Sequence, residues 1–447
     1  MRIANLELLI SGYGLRLRRS ASAIAHHSIR FSQFAVRNSY FSILLAVSIC
    51  ILVALAGVSS ERIVTHDFNT NQQPKIRNSH FGIDTPTFAI PNSQFEIRNS
   101  NSPTGWRAAT EGFQFSFPRD HASHPDYRVE WWYYTGNLET KEGRRFGYQL
   151  TFFRTGVVRE PDNPSRWAVR DLFLAHFAIS DIDQQSFRYF ERINRSGIGW
   201  AGADTAGYRV WNEEWEAKLD GRDHLLTAAD PEFSIELRLA PQKGEIIQGV
   251  NSISQKGPSE GNASHYYSMT RLNTTGNITV KGELFQVTGL SWMDHEFGSS
   301  FLEEHQVGWD WLSIQLNDGR ELMLFQIRRE DGSIDPRSSG TIIDADGRGT
   351  HIQFGEFSLA PGEPWRSASS GATYPTEWLV ELPGQKIQLR VRAALKDQEL
   401  RTTESTAVTY WEGSIAVEGT AADTRVRGQG YLEMTGYAGQ CMSEILR

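Results

Sequence analysis

The segment Tyr127–Arg154 constrains this chain most. It reads Tyr-Arg-Val-Glu-Trp-Trp-Tyr-Tyr-Thr-Gly-Asn-Leu, a short polar turn, then Phe-Gly-Tyr-Gln-Leu-Thr-Phe-Phe-Arg. Aromatic and β-branched residues dominate both arms, which predicts a strand, a Gly-containing turn and a second strand. Strand alternation puts Glu130, Trp132 and Tyr134 on one face and Val129, Trp131 and Tyr133 on the other. A carboxylate between large aromatics suits the wall of a cavity. The alternative is a barrel core with Glu130 at its rim.

From Phe113 onward, short alternating runs separated by Gly, Asn, Asp and Pro turns continue almost to the end of the chain. Examples are Trp167–Asp181, Phe233–Leu239, Gly282–Trp292, Trp309–Leu316, Glu321–Arg328, Trp378–Leu382, Lys386–Val391 and Tyr410–Val417. Asn317-Asp318-Gly319 between two of these runs is a strong hairpin signal. No long segment carries a 3.6-residue period, so the expected class is all-β, as two antiparallel barrels or sandwiches. With 447 residues the chain is too long for one core. The expected division is an export or anchor segment at 1–56, a disordered linker at 57–110, and domains at 111–285 and 286–447.

Residues 1–56 hold six Arg and one Glu, a surplus of +5, so the remainder carries −13 against −8 for the whole. That acidity argues against nucleic acid and against anionic membrane surfaces as partners. The run Phe41–Val58 is uncharged and apolar, and Arg16, Arg18, Arg19, Arg30 and Arg37 precede it. Ala54-Leu55-Ala56 fits a small-x-small cleavage pattern, so an exported protein cut after Ala56 is expected. An uncleaved membrane anchor through 41–58 is the alternative, because the run just reaches spanning length. Beyond it, Ser59–Gly105 is rich in Asn, Ser, Gln and Pro and reads as linker. Cleavage leaves Cys441 as the one remaining cysteine, which excludes an intrachain disulfide.

Several familiar motifs fail on context. Gly197-Ile198-Gly199-Trp200-Ala201-Gly202 matches a dinucleotide fingerprint formally, yet no helix follows it. No phosphate loop or H-E-x-x-H occurs. His121 and His124 lie in a loop with no clustered partner in the sequence, so neither a metal nor any other cofactor is expected; a metal-dependent hydrolase using His121, His124 and His295 is the third reading.

The run Ser291-Trp292-Met293-Asp294-His295-Glu296-Phe297-Gly298 invites a metal reading. In an extended strand, however, Asp294 and Glu296 share a face with Trp292 while His295 points away. Two carboxylates beside a tryptophan suit acid–base work, since burial raises a carboxyl pKa. The alternative is a strand end with solvated acids. His176 shares its face with Leu172 and Leu174, which favours a satisfied core histidine, though it stays among the pocket candidates.

Together these residues carry a resemblance. EWWYYTG followed by FGYQLTFFR, then AHFAISD at Ala175–Asp181, YYSMTRL at Tyr266–Leu272, SWMDHEFG at Ser291–Gly298 and GWDWLSIQL at Gly308–Leu316 resemble the AttH/carotenoid 1,2-hydratase family, in its secreted, hydrolase-labelled branch. The likeness runs from about Phe113 to about Tyr437. It implies two tandem lipocalin-like β-barrels with a pocket for a lipophilic small molecule near where they meet. It also implies a cofactor-independent enzyme that hydrates or hydrolyses an isoprenoid-like substrate, or else a carrier of such a ligand. Asp294 is the expected general acid, with Glu130 or Glu296 orienting water and His295 in support. Trp131, Trp132, Tyr134, Trp292, Trp309 and Trp311 are the expected ring walls.

Overall fold

The Tyr127–Arg154 segment forms the hairpin its composition predicts. In the computed structural model, which describes residues 105–300 and 302–439, Val129–Glu139 pairs antiparallel with Arg145–Gly156. The export segment, the 41–58 run, most of the linker, Cys50 and Cys441 lie outside the described residues. Among the described residues no helix is long and apolar enough to cross a membrane.

The hairpin sits inside a 13-stranded antiparallel sheet. Asp171–Asp181 and Ser186–Arg195 extend it on one side, and Glu283–Gly298, Ala263–Val280 and Phe233–Pro241 on the other. The sheet curls until its two ends nearly meet, closing with side chains instead of ladder bonds. Asn212 Nδ2 donates to the Phe173 carbonyl at 3.0 Å, and Arg192 donates to the Asn212 carbonyl at 3.1 Å. Trp132, Tyr134, Phe146, Phe177, Trp215 and Tyr267 fill the interior. Burying one Phe-sized side chain contributes roughly 1.5–3 kcal/mol, largely offset by chain entropy.

A second, 10-stranded sheet begins with the hairpin of Gln306–Leu316 and Glu321–Arg329. Its turn is the Asn-Asp-Gly segment, where Gly319 takes a φ of +87° that other residues adopt only with strain. The first sheet's last strand ends at Gly298 and the second sheet's first strand begins at Gln306. The expected boundary at 285/286 falls within Glu283–Gly298, which pairs with Ala263–Val280 on both sides of that point.

The outer face of the first barrel packs on the outer face of the second sheet. Tyr133, Tyr266 and Trp292 meet Trp311, Phe325 and Tyr431 there. Gln315 Nε2 crosses the seam to the Thr270 and Ser291 carbonyls at 2.8 and 3.0 Å, and Asn137 Nδ2 reaches the Gly430 carbonyl at 3.0 Å. Gly147 lets the two sheets approach, since a Cβ there would come within 2.8 Å of the Tyr431 hydroxyl and 2.9 Å of Ser414 Cβ. The Val129–Glu139 strand is therefore buried on both faces, one in a barrel and one at the seam.

Candidate active site

A cavity of about 550 Å³ opens along that seam. The first barrel contributes one face of two central strands. Val129, Trp131 and Tyr133 come from one, and Asp294 and Glu296 from the other. Antiparallel register sets Tyr133 opposite Asp294 and Trp131 opposite Glu296. The second sheet contributes Trp311, Glu433 and Glu412, successive cross-strand neighbours. Phe153, Leu172, Leu174, Trp309, Phe325 and Ile327 supply apolar wall. The cavity reaches the surface where the lining residues Val157 and Ile193 are exposed. That size and lining suit one drug-sized apolar ligand.

Asp294 accepts three hydrogen bonds, from Trp292 Nε1 at 2.7 Å, Ser268 Oγ at 2.5 Å and the Tyr266 hydroxyl at 2.7 Å. Burial nevertheless wins over these donors and pushes the carboxyl up to about 7. Glu433 is also pushed up to about 7, by burial acting against a hydrogen bond from Trp309. Burial and the directly opposed Glu433 carry Glu412 well above its usual range. Two carboxyls facing each other across adjacent strands are tolerated when at least one stays protonated. The Tyr133 hydroxyl donates to Glu412 Oε1 at 2.6 Å, while the buried Oε2 has no hydrogen-bond partner. Glu296 differs: Ser264 donates to it and Lys256 Nζ lies 3.0 Å away. The cavity thus combines one neutral carboxylic acid, two acids poised near neutrality, and one charge-paired carboxylate.

His176 lies at the other end of the wall, hydrogen-bonded at both nitrogens. The Tyr410 hydroxyl is 2.7 Å from Nδ1 and Ser405 Oγ is 2.9 Å from Nε2. Burial lowers the ring to about 3, so it stays neutral. Ser405 gives its own proton to Glu191 at 2.5 Å, which leaves no serine for His176 to activate as a nucleophile.

The structure divides the residues expected at the site. Asp294, Glu296, Trp131, Trp309, Trp311 and His176 line the cavity, and Trp292 sits behind it holding Asp294. Glu130, His295, Trp132 and Tyr134 face the opposite way, into the first barrel. Trp132 stacks on His295 with ring centroids 4.9 Å apart, and the Tyr134 hydroxyl bonds His224 Nδ1 at 2.8 Å. Glu130 is fully buried at the barrel end, the second of its two expected settings. Although burial alone would raise it, hydrogen bonds from His124 and His295 and the Arg154 charge hold its pKa well below the usual carboxylate range. Neither Glu130 nor His295 can therefore touch a ligand held with Asp294. Their nearest functional opportunity is with each other: His124, Glu130 and His295 bring three ligand atoms within 4.8 Å.

Glu412, Glu433, Tyr133 and Tyr266 were not anticipated. Glu412 and Glu433 stand in TYWEGS and YLEMTG, where a single Glu in an alternating run reads as a solvent-facing position. The one available signal was the large flanking aromatics, the same signature that marks Glu130.

The AttH-like family profile matches residues 108–437. A crystal structure of an AttH-type protein from Nitrosomonas europaea is 34% identical, covers 73% of this chain and 98% of its own, and superposes with a TM-score of 0.66. Kievitone hydratase from Nectria haematococca shares the fold at 14% identity and a TM-score of 0.57, over 74% of this chain and 98% of its own. Among curated proteins, none matches this chain. Since the matched span contains every wall residue from Arg128 to Thr435 and the Nitrosomonas protein aligns almost end to end, the chain belongs to the AttH-like family.

Proposed function

We propose that this protein is a cofactor-independent enzyme that hydrates a hydrophobic, isoprenoid-like alkene in the seam cavity. One observation carries the reading: an acid that titrates near neutrality opens onto a ring-walled, largely apolar space. Protonated Asp294 gives its proton to one alkene carbon, whose π pair forms the new C–H bond. The indole faces of Trp131, Trp309 and Trp311 stabilise the cation left on the other carbon, each by about 1–2 kcal/mol when desolvated. Water adds there, and its proton passes to Glu296, with Lys256 at its side, or back to Asp294. Hydration is favoured over hydrolysis because Ser405 already donates its proton elsewhere. The name of kievitone hydratase, a protein of this fold, is in keeping with water addition.

The test is turnover of an isoprenoid alkene panel in ¹⁸O-labelled water by the wild type and Asp294→Asn. Label incorporation that falls by roughly 10²–10⁴ in the variant is expected. Undiminished incorporation removes Asp294 from the chemistry. Recovery of an unaltered lipid with no turnover by either protein favours the carrier reading. Export belongs to the same proposal, supported by the apolar run Phe41–Val58 behind its arginines.

A further inference from the structure

Inside the first barrel, across the Val129–Glu139 strand from the cavity, two histidines share one carboxylate. His124 Nδ1 lies 3.0 Å and His295 Nε2 2.9 Å from Glu130 Oε1. Their outer nitrogens face oxygens as well. His124 Nε2 is 3.2 Å from Asp120 Oδ1, and His295 Nδ1 is 3.1 Å from the Asp120 carbonyl. The Tyr267 hydroxyl is also 3.1 Å from His295 Nδ1 and 2.7 Å from His121 Nδ1.

A neutral imidazole has one N–H and one lone pair. His124 meets a carboxylate oxygen at each nitrogen, so its neutral ring sets one lone pair against an oxygen. Glu130 does not supply the missing proton. It accepts from Ser123 Oγ at 2.6 Å, the His124 backbone N–H at 2.9 Å and Arg154 Nε at 3.0 Å, all of which favour its ionised form. A proton alone would make His124 an imidazolium beside the buried Arg154 guanidinium. One divalent cation between the rings takes the place of that proton and engages both inner nitrogens and Oε1 together. We propose that His124 Nδ1, His295 Nε2 and Glu130 Oε1 bind a single divalent transition-metal ion of the zinc class.

The dimensions agree. Zinc bonds of about 2.0–2.1 Å in tetrahedral geometry place ligand atoms roughly 3.3 Å apart, so the two nitrogen–oxygen separations open by only a few tenths of an ångström, and all three atoms already lie within 4.8 Å of one another. With the metal on the inner nitrogens, His124 Nε2–H donates to the Asp120 carboxylate and His295 Nδ1–H to the Asp120 carbonyl. Outer hydrogen bonds of this kind orient metal-bound histidines in known sites. Two imidazoles and a carboxylate favour zinc-like ions over magnesium or calcium. Of the three ligands only His124 is partly exposed, at 13% of its side chain. The ion would tie the loop around the Arg119–His121 turn to Glu283–Gly298, whose other face carries Asp294 and Glu296. This inference is independent of the hydration proposal.

The experiment uses the untagged full chain, purified without chelator and analysed for metals, then stripped and titrated with Zn²⁺ and with Co²⁺. One equivalent of metal, a rise of several degrees in melting temperature with Zn²⁺, and visible Co²⁺ d–d bands without an intense thiolate band are expected. His124→Gln and His295→Gln are expected to lose the Co²⁺ bands. Wild-type protein that takes up no stoichiometric metal and shows no thermal shift overturns the site. So do variants that fold and keep the same spectrum. Because the wild-type titrations stand alone, a variant that fails to fold leaves the test intact.

Discussion

Asp294 and His295 are consecutive in the chain and serve opposite sides of one sheet. Asp294 faces the seam cavity under three hydrogen-bond donors, whereas His295 meets Glu130 at 2.9 Å inside the first barrel. Any strain transmitted through this strand reaches both places, so substitutions here need readouts that separate fold from chemistry.

The pH profile gives one such readout. Burial sets Asp294 near 7 against donors that lower it, Ser268 first among them. If the protonated form is the acid, kcat/KM falls as pH rises through that value. Ser268→Ala removes a donor to the charged form, so the carboxyl titrates higher and the falling limb moves to higher pH. A shift to lower pH, or a profile without this limb, contradicts Asp294 as the acid.

Glu433 makes a stability prediction of definite sign. Its ordinary value of 4.5 is raised to about 7 in the folded protein. Between those values the folded chain holds a proton that the unfolded chain has released, so stability declines with rising pH. The contribution is fully present below about 4.5 and lost as pH passes through 7, on the order of 3 kcal/mol. Urea midpoints at pH 5 and pH 8 are expected to differ less in Glu433→Gln than in the wild type. Equal differences in both proteins count against a neutral Glu433.

Much of this arrangement was legible from side-chain type and the two-residue strand period. The Tyr127–Arg154 hairpin, the Asn-Asp-Gly turn and the split of Asp294 and Glu296 from His295 all follow from alternation. Alternation says which residues share a face, but not which face is the cavity. An ordinary surface sheet would be polar on one side and settle the matter. Here both sides of Val129–Glu139 are buried, since one fills a barrel and the other meets a second sheet. Glu130 between aromatics therefore looked like a cavity acid, while Glu412, in a similar setting, is one. Which carboxylate reaches the cavity depends on how the barrels dock, through contacts such as Tyr133 to Glu412 separated by hundreds of residues.

Arg154 tests how far the buried Glu130 network holds the barrel end together. Its guanidinium donates to Glu130 at 3.0 Å, to Asp171 at 3.1 Å, and to the His124 and Tyr127 carbonyls at 3.1 and 2.7 Å. Arg154→Met leaves Glu130 buried with one cation fewer, a loss of roughly 3–5 kcal/mol by chemical denaturation. Arg154→Lys is expected to recover little of it, because a single ammonium cannot span four acceptors on two sides. Full rescue by lysine would mean that charge alone matters and the fork geometry does not.

Leu174→Trp asks whether the seam cavity is where the ligand binds. Leu174 lines the cavity on Asp171–Asp181, and its neighbours Leu172 and His176 share that wall. A tryptophan there projects into a space of about 550 Å³ and displaces no core packing, so melting temperature is expected to stay close to wild type. Lost volume is felt first by the largest substrates. KM for long-chain isoprenoids is expected to rise several-fold or more, while short analogues are turned over with kcat little changed, because Asp294 and its donors are untouched. Ring fluorescence from the new tryptophan, quenched or shifted on ligand addition, reports occupancy directly. If long substrates bind and react as well as in the wild type, the ligand lies elsewhere and the acid cluster at the seam loses its assigned role.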